Sequence, residues 1–89
     1  MTQIVFHVTI FEEEDSYVAL CPELNVSSFG ESVSEARRSV TEAVEAFLEE
    51  CETMGTLKEV LEESGFVKDA QENWRPRTPV AEEEIALSR

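Results

Sequence analysis

From Val33 to Met54 the apolar residues Val33, Ala36, Val40, Ala43, Val44, Phe47, Leu48, Cys51 and Met54 recur at steps of three and four. That spacing stacks them along one stripe of an α-helix, and no other segment carries so long a pattern. Ser32, with Glu35 three residues on, marks the start: the hydroxyl is placed to accept from a first-turn N–H, and the carboxylate to reach back to the Ser32 amide. Gly55 marks the stop, because a helix end commonly needs a left-handed residue. Six turns make a rod about 33 Å long. Its stripe demands an apolar surface of similar length, which the remaining residues have to supply.

The chain has 89 residues. One small domain of this size buries only about 60 to 65% of its unfolded surface, so self-association into a dimer or tetramer is a natural supplement. Cys21 and Cys51 are too few for a secreted disulfide scaffold, and no basic region followed by an apolar run opens the chain, so a reduced, cytoplasmic location is expected. No apolar run approaches the roughly 20 residues of a membrane span. Twenty acidic residues against seven basic ones give a formal net charge of −13. Such a chain repels phosphate backbones, which argues against direct nucleic-acid binding. Solubility alone explains an acidic surface until another feature points to a partner.

Gln3 to Phe11 alternates, with Ile4, Phe6, Val8 and Ile10 on one face and Val5, His7, Thr9 and Phe11 on the other, as a β-strand does. Glu12 to Ser16 form a polar break, and Tyr17 to Leu20 resume the strand pattern, which predicts a hairpin. Cys21-Pro22 ends the second strand, and Val26 to Phe29 read as a third leading through Gly30 into the helix. The helix stripe then lies across a three-stranded antiparallel sheet. After Gly55, Thr56 with Glu59 repeats the capping-box spacing ahead of a short helix carrying Leu57, Val60 and Leu61, with Gly65 as its stop and Phe66 in contact behind it. Val67 to Pro79 is irregular, and Val80 to Leu87 has a weak strand signal broken by Glu82, Glu83 and Glu84. Residues 1–66 thus read as the core and 67–89 as an extended segment with a closing or edge strand of the same domain.

Catalytic chemistry finds no support in the residues. The single histidine, His7, and two distant cysteines form no zinc spacing. The carboxylates Glu12, Glu13, Glu14 and Asp15 lack the alternate spacing and glycine of a calcium loop, and read as a solvated turn. Acidic surroundings raise a thiol pKa, so Cys21 reads as structural. No phosphate-binding or nucleophile-elbow motif is present. Neither a catalytic residue nor a metal or cofactor is expected.

Several residues do form an ordered pattern. Phe6 to Phe11, Glu13-Glu14-Asp15, Tyr17-Val18-Ala19, Cys21-Pro22-Glu23-Leu24, Gly30-Glu31-Ser32, Glu35-Ala36 and Glu42-Ala43 together resemble the HicB-like family of antitoxins across residues 4 to 54. The most specific parts are Cys-Pro-Glu-Leu and the Gly-Glu-Ser-x-x-Glu-Ala lead into the helix. The resemblance implies an α+β, two-layer β-β-β-α-(α)-β sandwich like a truncated ribonuclease H domain, in which Val80 to Leu87 is the closing strand. It also implies a partner: a small, basic HicA-like toxin that cleaves mRNA and is neutralised by being covered. An acidic inhibitor of such a protein presents carboxylates where phosphates would otherwise sit.

Two family properties are not carried over. The 35 residues after Met54 hold no basic recognition helix, so DNA-binding repression is not expected of them. Ribonuclease catalysis needs converging carboxylates where the first strand offers His7 and Thr9. The expected partner-binding residues are Glu12, Glu13, Glu14, Asp15, Glu42 and Glu49. The competing reading is a structural or regulatory homo-oligomer without a toxin partner, using Trp74, Val80, Ile85 and Leu87 as contacts.

Overall fold

A computed structural model describes residues 2–89. Three antiparallel strands, β1 (Thr9–Glu13), β2 (Ser16–Cys21) and β3 (Val26–Gly30), form a sheet in that order. They are followed by a long helix α1 (Val33–Met54), a short helix α2 (Leu57–Glu63), and a two-stranded hairpin of β4 (Phe66–Lys68) and β5 (Trp74–Pro76). The class is α+β, with α1 covering one face of the three-stranded sheet.

The register sorts side chains between the two faces. Ile10, Ala19 and Ser28 are opposed on the face beneath α1, and Phe11, Val18 and Phe29 are opposed on the other. Ala19 and Cys21 from the sheet are buried against Ala36, Val40 and Val44 from α1, with Phe6, Val8, Ile10, Tyr17, Leu24, Val26 and Leu48 packed around them. The middle of the predicted stripe supplies this core. Its ends do not: Val33 and Met54 are exposed, and Phe47 is only partly covered.

Both ends of α1 are set locally. The Ser32 hydroxyl accepts from the Glu35 N–H at 3.1 Å. The Glu35 carboxylate returns to the Glu31 N–H at 3.3 Å, one residue before the amide expected from the capping pattern. Gly30 is buried under this first turn, where an added Cβ would stand 2.5 Å from the Ala36 backbone nitrogen. At the other end Gly55 is left-handed, at φ 74°, and donates to the Glu52 carbonyl at 3.1 Å. Thr56 does not cap α2 as its spacing with Glu59 suggests. Its N–H and hydroxyl both donate to the Cys51 carbonyl, so it closes α1 instead.

The carboxy-terminal part corrects the sequence reading in three places. First, the irregular stretch contains the β4–β5 hairpin, whose turn is tied by Asp69: one oxygen accepts from the Gln71 and Asn73 N–H groups, and the other from Arg75 Nε at 2.8 Å. Phe66 opens β4, which therefore straddles the line between residues 66 and 67. Second, Trp74 is only 8% exposed and joins Leu61 and Phe66 in a second core with Ile4, Phe6, Leu24, Leu48 and Leu57. Its side chain packs inside this chain, on the strand-anchoring side of the sequence reading. Lys68 lies over its ring at 5.3 Å, a cation–π distance.

Third, Val80 to Leu87 forms no strand, and Val80, Ile85 and Leu87 are largely solvent-exposed. The place beside the amino-terminal segment is taken by Trp74, which pairs parallel to Ile4: its N–H donates to the Gln3 carbonyl and its carbonyl accepts from the Val5 N–H, both at 2.9 Å. β4 covers the other side of β5. Prolines at 76 and 79 and the three carboxylates from Glu82 disfavour further ladder pairing after β5. The first strand is also shorter than its alternation suggests. Ladder pairing begins at Thr9, and the residues before it are held by the bridge to Trp74, by the Asn73 side chain, which accepts from the Gln3 N–H at 2.8 Å, by Glu23 and by core packing.

Candidate docking site

Ile4 and Phe6 of the amino-terminal segment come together with Val44 and Leu48 of α1 and Leu57 of α2. These side chains line a groove of about 240 Å³ whose outer rim is Thr41, Glu45, Glu49 and Glu52 of α1. The three carboxylates stand at i, i+4 and i+7, which places them in one row along the helix. All three are exposed. Among the described residues the ion pairs are His7–Glu23 and Arg75–Asp69, so these rim carboxylates have no cation within 4.0 Å.

The expected partner-binding residues are split by the fold. Glu49 lies on the groove. Glu42 is exposed on α1 but does not line it. Glu12 and Glu13 end β1 and Glu14 and Asp15 form the turn to β2, exposed and outside the groove lining, with Glu14 forced to φ 46° and Glu12 accepting from the Tyr17 hydroxyl at 3.4 Å. Glu45 and Glu52 were not singled out by the sequence reasoning. Their seven-residue spacing beside Val44 and Leu48 is the signal that marks them.

A second polar feature ties the amino-terminal segment down. The Glu23 carboxylate accepts from the His7 N–H at 3.0 Å through one oxygen and contacts His7 Nδ1 at 2.8 Å through the other. It stands in for the strand partner that His7 lacks. The buried Cys21 thiol points at the same carboxylate, with Sγ 3.7 Å from Oε1. Burial pushes this thiol up from its ordinary value, and the Glu23 charge adds to the effect. Cys21 is therefore held as a thiol, the opposite of what a nucleophile needs. At Asp69 the Asn73 N–H and then the Arg75 guanidinium hold the carboxyl below its usual range.

Burial pulls the Glu23 carboxyl up, but the His7 backbone N–H and then its ring outweigh this and hold it below the ordinary glutamate range. A depressed folded value means the unfolded chain takes up the proton first as pH falls. The stability conferred by Glu23 is present above about pH 4.3, the unfolded glutamate value, and is lost as pH falls through the folded value. Glu23→Gln is expected to melt below the wild type at pH 7, with the gap closing as pH is lowered through this window in a series of thermal melts.

The uncovered face of the sheet is a third feature. Phe11, Val18 and Phe29 form a row across all three strands, with Phe11 51% and Phe29 72% exposed. β3, at one sheet edge, carries no charged residue, whereas β1 at the other edge ends in Glu12 and Glu13.

No protein-family model, curated protein or solved structure matches the chain. No helix among the described residues is long and apolar enough to cross a membrane.

Proposed function

We propose that the chain is a HicB-like antitoxin-type protein of the cytoplasm that binds and neutralises a small basic HicA-like toxin. The observation that carries this reading is the state of its negative charge. Among the described residues, only Glu23, beside His7, and Asp69, beside Arg75, of the twenty side-chain carboxylates lie within 4.0 Å of a basic side chain. Most of the others stand on the β1–β2 hairpin tip, α1, α2 and the tail, where solvation of a domain this small does not require so many. A basic protein whose own surface is built to grip phosphates is the complementary partner.

The residues that carry the resemblance have structural tasks that agree with this reading. Gly30 admits the first turn of α1, Ser32 caps it, Leu24 enters both cores, and Glu23 fastens the amino-terminal segment. They build the scaffold, while the unpaired carboxylates do the binding. Co-expression with the product of the adjacent reading frame is expected to yield a stable complex and to restore growth. Reversing the charges of Glu12 to Asp15 is expected to slow association, more so at low salt, where the Debye length is long.

A homo-oligomer is the second reading, favoured by the Phe11–Val18–Phe29 row and the unprotected β3 edge. Natural sheets guard such edges with charge or proline, and this one has neither. In that reading Phe29→Lys lowers the molecular mass measured by light scattering. Removal of residues 80–89 tests the tail as the contact in the same measurement.

A further inference from the structure

We infer that the α1 groove seats a single amphipathic helix of a partner protein, with its apolar side chains between Phe6 and Leu48 and its Lys or Arg side chains against Glu45, Glu49 and Glu52. The inference rests on the reading of this chain as a protein-binding module and adds to it the surface used and the form of the ligand.

The groove is apolar at its floor and acidic only along one side. Partly covered Ile4, Phe6, Leu48 and Leu57 offer contact area, and the rim carboxylates lie unpaired in a row. From Glu45 to Glu52 that row runs seven residues, about 10 Å along the helix, so a helix laid alongside presents cations at matching i, i+4 and i+7 positions. An apolar cavity of about 150 Å³ takes one benzene-sized guest. The 240 Å³ here suits on the order of two aliphatic or aromatic anchors at once, drawn from one face of a helix laid in the groove.

Other occupants fit less well. A nucleic acid would bring phosphates against three carboxylates. A second copy would bring another chain of net charge −13. The chain's own tail leaves Ile85 and Leu87 exposed and carries Glu82, Glu83 and Glu84.

Binding of two synthetic helical peptides to the full chain tests this. One carries leucine at i, i+4 and i+7 with lysine beside each, and the other is a scrambled sequence of the same composition. The ordered peptide is expected to bind at least about tenfold more tightly, since only it presents its anchors on one face. Its amide-shift changes should map to Ile4, Phe6, Leu48 and Leu57.

The exposed-site variant Glu45→Lys/Glu49→Lys/Glu52→Lys should weaken binding about 20-fold, as three rim ion pairs of ordinary strength allow. Glu12→Lys/Glu13→Lys/Glu14→Lys, with the same change of net charge, should weaken it several-fold less. Equal binding of both peptides, or equal loss in the two variants, overturns the groove. A toxin held alike by the wild type and the α1 variant also overturns it while leaving the antitoxin reading in place. Groove-specific peptide binding with no toxin captured would support the groove and count against the toxin.

Discussion

Gly30→Ala is expected to cost about 3 kcal/mol or more, at the upper end of overpacking effects, and to lower the melting temperature by roughly 15 °C. The cause is a close approach rather than backbone conformation. The new Cβ would lie 2.5 Å from the Ala36 nitrogen, 2.8 Å from the Glu35 carbonyl carbon and 2.9 Å from the Glu35 Cβ, and the two backbone atoms belong to a capped helical turn that cannot yield singly. For the loss to be relieved, α1 has to lift from β3, opening the core around Ala36 and Val40. Gly55→Ala is the control. It meets nothing within 4 Å but is left-handed at φ 74°, so its cost is confined to about 1 to 2 kcal/mol of backbone strain. Thermal melts followed by circular dichroism at 222 nm separate the two cases: similar losses at both glycines would mean that the helix does not press on Gly30.

The second large effect is expected at Trp74. Its replacement by alanine should cost about 3 to 5 kcal/mol, in the range of large aromatic truncations, against a total stability on the order of 4 to 13 kcal/mol for a domain of this length. Trp74 is the largest residue of the second core, and it is also where β5 meets the amino-terminal segment. Loosening it releases Ile4 and Phe6, so hydrogen exchange at the Val5 amide should accelerate even where the three-stranded sheet stays protected. Removing residues 80–89 should change stability by no more than about 0.5 kcal/mol, because Val80, Ile85 and Leu87 are largely exposed. A comparable loss from that truncation would return the closing role to the tail.

The features legible in the sequence are those set by neighbours along the chain. The helix from Val33 to Met54 has the bounds its periodicity and caps announce, because Ser32, Glu35 and Gly55 act within one turn of its ends. The β1–β2 hairpin and the covering of one sheet face follow from alternation for the same reason. What was not legible depends on residues far apart. Trp74 reads in sequence as a strand anchor or a subunit contact, and nothing local reveals that Gln3 and Val5 supply its hydrogen-bond partners. Two three-residue strands are too short for a periodic signal, and the Asp69 turn that joins them is held by a side chain. Phe47 read as core, yet the helix turns its neighbours Val44 and Leu48 toward the cores instead.

The candidate site follows the same division. That α1 has an acidic outward face is visible in the sequence, and Glu49 was singled out from it. That Ile4 and Phe6 lie beside this face, turning Glu45, Glu49 and Glu52 into the rim of an apolar groove, requires the tertiary fold. The most acidic run, Glu12 to Asp15, drew attention by density alone and lies on a hairpin tip without an apolar floor.

The central claim is that this acidic surface neutralises a basic partner. Its most direct measurement is co-purification of the full chain with the product of the adjacent reading frame, with mRNA cleavage assayed before and after mixing. The expected result is a complex that survives size-exclusion chromatography and abolishes cleavage, and that is released by charge reversal at Glu45, Glu49 and Glu52. Free migration of the two proteins, with cleavage undiminished at any excess of this chain, would contradict the account.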